Sequence, residues 1–210
     1  WRADDMDPQN VGKGYLNPLD FTLSNAERRE SPGRWSVNND DGNRNYADGG
    51  EVVANTIKFT SELDIKYKNF GFFTRFMGFY DFENTDQDFL PAVADERVGK
   101  DLRILDLYVW GDHAIGDRYL NWRLGSQVVS WGESTFIQGG INVINPVDVS
   151  RLRVAGAELK EAFEGVNMIQ ASIDLTPAVS LEALYMFEHK EIIPDPVGTY
   201  FSTNDIATPG

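Results

Sequence analysis

The sequence predicts an all-β chain whose roughly six long antiparallel strands form part of the wall of a transmembrane β-barrel, with one long loop inserted. Three observations predict it. Apolar and polar residues alternate with a period of two over stretches of about 10–12 residues, long enough for the roughly 9–11 that a tilted strand needs to cross a bilayer. Each stretch has a greasy face and a face bearing charges and amides. The connections between stretches run long, short, long, short, the way outer-membrane barrels sort extracellular loops from periplasmic turns.

Composition narrows the alternatives. The chain has 210 residues, 41% hydrophobic and 25% charged, and no run approaches the roughly 18 apolar residues of a transmembrane helix. A barrel escapes that test, because alternating strands average to neutral. The formal net charge of −14, with no Lys/Arg cluster, argues against nucleic-acid binding, which needs phosphate neutralisation. Zero cysteines exclude a disulfide scaffold and thiolate metal sites.

Residues 1–51 form an irregular segment in which Pro8, Pro18 and Pro32 break any period. It is either a disordered tail or, because Tyr15, Leu16, Leu19, Phe21, Leu23 and Trp35 give it something to bury, a long extracellular loop; the latter is expected here. Its acidic residues match no EF-hand spacing. From Thr56 to Lys68, Ile57, Phe59, Leu63, Ile65 and Tyr67 fall on one face and Lys58, Thr60, Glu62, Asp64 and Lys66 on the other. A tight turn at Lys68-Asn69 leads into a second strand, with Phe70, Phe72, Phe76, Tyr80 and Phe82 on one face.

After a polar connection, Glu83 to Lys100, a second hairpin pairs Leu102–Asp112 with Arg118–Ser130 around a turn at His113 to Asp117. Leu105, Leu107 and Val109 are expected to share a face opposite Asp106. The third hairpin begins near Ile169, turns at Thr176-Pro177-Ala178 and ends near Phe187; residues 189–210 begin another extracellular loop. Aromatics gather at both strand ends, Tyr67, Phe70 and Tyr119 by the short turns and Tyr80, Phe82, Trp131 and Phe187 by the long loops, which suits two interfacial girdles. A soluble sandwich with Phe-rich strands is the competing reading. About six strands cannot close a barrel, which needs at least about eight. Because both terminal segments read as cut out of loops, the chain is expected to be part of a longer one, several copies closing the wall together being the alternative.

The loop 131–165 is too long for a simple connector and is expected to fold inward as a constriction or plug, an outward loop being the alternative. Gly139-Gly140 permits a sharp reversal, and Phe136, Ile137, Ile141, Val143 and Ile144 supply an apolar patch. Candidate lumen or gating residues are Arg123, Gln127, Trp131, Glu133, Ser134, Phe136, Asn145, Arg151, Arg153 and Glu161. Catalysis is not expected. Gly132-Glu133-Ser134 is no nucleophile elbow, His113 falls at the opposite strand end from Ser134, and H-E-x-x-H is absent. No cofactor or metal is implied.

The run GSQVVSWGESTFIQGGINVINPVDVSRLRVAGAELKEAFEGVNMI, then IIPDPVGTYFSTND, and upstream NRNYADGGEVVANTIKFTSELDIKYKNFGFF resemble a family of Gram-negative outer-membrane proteins, domain of unknown function 1302. Trp131-Gly132-Glu133-Ser134 and Asn145-Pro146 are its more specific marks. The resemblance implies an outer-membrane location and traffic of hydrophobic molecules of the lipid, sterol or hydrocarbon class, and makes residues 1–210 an internal or truncated N-terminal part of one large single-chain barrel domain. It assigns no catalytic residue. The expected partners are outer-membrane lipid and lipopolysaccharide, a hydrophobic small molecule, and a periplasmic or inner-membrane transport partner. Two readings compete with a channel or transporter: a structural or adhesive surface barrel, and an outer-membrane hydrolase.

Overall fold

In the computed structural model, residues 45–46, 48–88, 90–129, 144–154 and 156–202 are described. Among them, six strands form one antiparallel sheet in chain order: β1 (Thr56–Tyr67), β2 (Phe70–Asp81), β3 (Lys100–Ile115), β4 (Arg118–Gln127), β5 (Val166–Thr176) and β6 (Val179–Met186). The sheet is open, with β1 and β6 at its edges. No helix among the described residues is long and apolar enough to cross a membrane.

The period of two places every strand's side chains on two faces, and the register joins those faces across the sheet. Ile57, Phe59, Ile65 and Tyr67 lie opposite Tyr80, Gly78, Phe72 and Phe70. Val109 then joins Phe72 to Leu124, Leu124 faces Ile169, and Ile169 faces Tyr185. The apolar face so built stands exposed, with Tyr67 and Leu102 each 71% accessible and Ile57, Leu181 and Tyr185 exposed beside them. Gly111 lies under the Trp122 indole, where a Cβ would come within 2.7 Å of the ring.

One residue sits on the other face from the expected one. A bulge between Arg75 and Phe76 pairs Asp106 with Arg75 and Ile104 with Phe76, leaving Leu105 over. Leu105, 1% accessible, therefore turns away from Leu107 and Val109 and packs with Met77 and Phe79, while Ile104 at 58% takes the apolar face. An extra residue in one strand inverts the alternation on either side of it, which a strict count of two cannot see. Phe82 lies beyond the strand, though its ring stays edge-on to Tyr80 at 5.0 Å. Strand β2 stops at Asp81, whose carboxylate accepts from the Glu83 and Asn84 N–H groups and caps a helical turn, Phe82–Thr85.

The β3–β4 turn is shorter than expected. Pairs His113–Leu120, Ala114–Tyr119 and Ile115–Arg118 carry the ladder up to Gly116-Asp117, where Gly116 takes φ +63. His113 joins the aromatic group at this end, its ring 5.0 Å from Phe70 and 6.4 Å from Trp122. The other end is built differently. There the long connections gather into a layer: Tyr46 donates to Asn84 at 3.0 Å, Asn45 to the Gly198 carbonyl at 2.9 Å, and Val149 to the Ile193 carbonyl at 2.8 Å.

Candidate functional site

The face opposite the apolar one carries the charges, and the register sorts them into rows across the strands. Glu62, Arg75 and Asp106 form the first row; the Arg75 guanidinium bonds both carboxylates at 2.8 Å. Asp64, Phe73, Tyr108 and Gly125 form the next. Phe73 and Tyr108 stack with centroids 5.1 Å apart, Arg75 lying over the first ring at 5.5 Å and Arg123 over the second at 5.6 Å. The third row runs Lys66, Gly71, Trp110, Arg123, Gln170, Leu184. Lys66 lies 5.2 Å from the Trp110 ring.

Across the long-connection end of this face lies a clasp formed by residues 144–165. A capped helical turn, Leu159–Ala162, presents Glu161 to β1. Its carboxylate accepts from Lys58 Nζ at 2.7 Å and from the Thr60 hydroxyl at 2.8 Å. Burial pushes the Glu161 carboxyl up, but Lys58, the Glu158 N–H and Thr60 together outweigh it and hold the group below its ordinary value. Behind it, Arg151 is 2% accessible, with Nε 3.2 Å from Asp148 and Nη2 bonded to Glu164. Arg103 reaches the same acids from β3, 3.1 Å from Glu164 and 3.5 Å from Asp148. Burial raises the Asp148 carboxyl, opposed by the Ser150 hydrogen bond and by Arg103 and Arg97. Buried charges persist only when paired in this way.

Asn145 explains how the clasp is anchored to the strands. Its Oδ1 accepts from the Val129 N–H at 2.8 Å, and its Nδ2 donates to the Gln127 and Glu164 carbonyls at 3.0 and 2.8 Å. One amide thus ties the end of β4 to the approach of β5, satisfying backbone groups that no ladder serves. Among the described residues, no three His, Cys, Asp or Glu side chains come together as a metal site.

A family model described as "Protein of unknown function (DUF1302)" matches residues 1–210. The chain belongs to that family. No curated protein and no solved structure matches it.

In this DUF1302 chain, the residues singled out from sequence fall into three groups. Asn145, Arg151 and Glu161 come together in the clasp. Arg123 stands apart, exposed on the same face, and Gln127 is buried at the end of β4, donating to the Met168 carbonyl at 3.3 Å. Arg153 belongs to neither. It lies 3.4 Å from Asp195 and over the Phe201 ring at 4.8 Å, beside a small cleft of about 40 Å³ also lined by Val53 and Val154. Trp131, Glu133, Ser134 and Phe136 lie outside the described residues, as does the apolar patch from Phe136 to Val143.

Sequence reasoning missed Asp148, Glu164 and Arg103, and it placed Lys58 on the polar face without its partner Glu161. For Asp148 a signal existed: Asp-Val-Ser before a short helical turn is an N-cap pattern, and its carboxylate accepts from the Ser150 N–H at 3.1 Å. Nothing local marks Arg103 or Lys58, whose partners lie 61 and 103 residues away.

Proposed function

We propose that this chain supplies strands to the wall of a bacterial outer-membrane β-barrel that passes a hydrophobic or amphipathic small molecule. The observation that carries the proposal is the apolar face. It continues across all the strands, exposes large side chains from Ile57 on β1 to Tyr185 on β6, and has no covering layer among the described residues. Contiguous apolar patches beyond a few hundred Å² are rare on soluble monomers; against lipid tails such a face needs no cover. Aromatic side chains at both strand ends, with Tyr80 edge-on to Phe82 and Tyr185 to Phe187 at the long-connection end, suit two interfacial belts.

The edges require partners. In lipid, unpaired backbone groups on β1 and β6 would cost several kcal/mol each, so further strands must close the wall. The opposite face would then line the lumen, with the 144–165 clasp narrowing it at the extracellular end. A surface adhesin would share the wall but not the passage.

Single cysteines at Asn69, Gly116, Pro177 and Asp88 of the full-length protein, probed with an impermeant thiol reagent on intact cells, test the reading. Only the cysteine at position 88 should label. Equal labelling at all four positions would remove the membrane assignment. Planar-bilayer conductance separates a channel from an adhesin: an inserted, folded protein that passes neither ions nor solute is not a conduit.

A further inference from the structure

The arginines and lysines of the polar face are not equivalent. Arg75 is held by two carboxylates, Arg103 by three and Lys58 by Glu161. Cations neutralised in this way hold the sheet and the clasp together. Lys66 and Arg123 differ from them: among the described residues neither has a carboxylate within ion-pair distance, and each is positioned by an aromatic ring instead. A ring holds a guanidinium or ammonium in place while leaving its N–H groups free to donate.

Their placement follows from the register. Lys66 and Arg123 belong to one row across β1–β4, with Gly71 and Trp110 between them. Gly71 has no side chain because the Trp110 indole occupies the space, and a Cβ there would lie 2.1 Å from the ring. The indole thus covers the strand between two exposed cations. The neighbouring row offers the half-buried Phe73–Tyr108 stack. Among the described residues, clasp hydrogen bonds and ion pairs with β1 reach from Lys58 to Glu62. Asp64, Asp112 and Glu182 are the acids nearby on the same face; Asp112 accepts from the Asn121 amide and Glu182 from the Gln170 amide.

We propose that Lys66, Trp110 and Arg123, with the Phe73–Tyr108 stack, form a binding site for an amphipathic organic anion carrying a carboxylate or sulfonate on a ring or hydrocarbon body. The anionic head lies between Lys66 and Arg123, where the guanidinium fork takes two oxygens. The body lies along Trp110 and the stacked rings. Arg151 cannot serve this role, because Asp148 and Glu164 already neutralise it in a buried position. The site rests on the reading of this face as a lumen, and it names the solute class that lumen would select.

The test uses the full-length protein in detergent micelles, titrated with 2-naphthoate and with the neutral 2-naphthalenemethanol, empty micelles serving as the blank. Wild type should bind naphthoate saturably. The double variant Lys66→Gln, Arg123→Gln should weaken naphthoate by about tenfold or more, as expected for losing charge-assisted hydrogen bonds, while changing the neutral probe by less than about twofold. Tyr108→Leu should weaken both probes. Arg118→Gln, at the β3–β4 turn, should change neither. Strand content by circular dichroism confirms that each variant is folded, and Arg123→Lys offers a milder replacement if the double variant is not. Three outcomes overturn the site: no saturable naphthoate binding by wild type, unchanged affinity in the double variant, or equal loss for both probes. None depends on which side of a membrane the turns face, so failure here and failure of the cysteine topology are separate results.

Discussion

The two faces of this sheet are made from the same strands by the same alternation, yet they are held in different ways. On the apolar face the side chains touch mainly their cross-strand neighbours, and little is buried. On the polar face a second layer settles over the long-connection end and buries Arg151, Asp148, Asn145 and Gln127. The contrast separates two kinds of information. A face that meets solvent, lipid or water, needs only the right residue class at alternate positions. A face that receives another part of the chain needs particular partners at particular distances.

Removing the cation at the centre of the clasp is the strongest way to break this contrast. Arg151→Ala leaves Asp148 and Glu164 short of a buried partner and should cost about 3–5 kcal/mol, read as a fall in the denaturant midpoint of the folded protein. An unchanged midpoint would mean that backbone pairing between residues 147–149 and 193 holds the clasp alone.

Charge on the two faces gives the next effect. Phe72→Arg, if its face meets lipid near the midplane, should cost about 2–4 kcal/mol. Ser172→Arg, on the polar face opposite Glu182, should stay within about 0.5 kcal/mol. Equal damage would reverse the assignment of faces. Gln127, offered by the sequence as a lumen residue, is the wrong control because it is buried.

The smallest and most selective effect is on pH. Glu161 titrates below its ordinary value of 4.5, so its stabilisation is complete above that pH and is lost as pH falls through the folded-state value. Asp148, raised from 3.8, acts in the opposite sense: its contribution is largest at low pH and declines as pH rises through its folded-state value. Protection factors of amides 158–163, taken against the intrinsic exchange rate at each pH, should therefore fall on acidification in wild type. In Glu161→Gln that fall should disappear, at a cost of about 1.5–3 kcal/mol for the charge-assisted bonds. A fall of equal size in both proteins would move the effect to another carboxylate.

Much of the sheet was legible because each strand states its own period. The hairpins around Lys68-Asn69 and Pro177-Ala178 fall where the turn residues put them, and the apolar set from Ile57 to Tyr67 shares one face. Leu105 fails the count because a bulge is a property of two strands, set by how β2 and β3 meet at Arg75 and Asp106. The strand stops one residue short of Phe82 because Asp81 caps a turn rather than continuing the ladder.

Where the chain alternates, where it reverses and which side chains share a face could be read from the residues in order, since those depend on near neighbours in the chain. Tertiary structure alone decided which charges cancel and which stay open. Arg103, Arg123 and Arg151 look alike in the sequence; only the register and the clasp bring acids to the first and third and a tyrosine ring to the second. The physical reason is distance. A strand's period is fixed by backbone geometry within a few residues, whereas an ion pair is fixed where segments far apart in the chain, such as Lys58 and Glu161, come within hydrogen-bond reach.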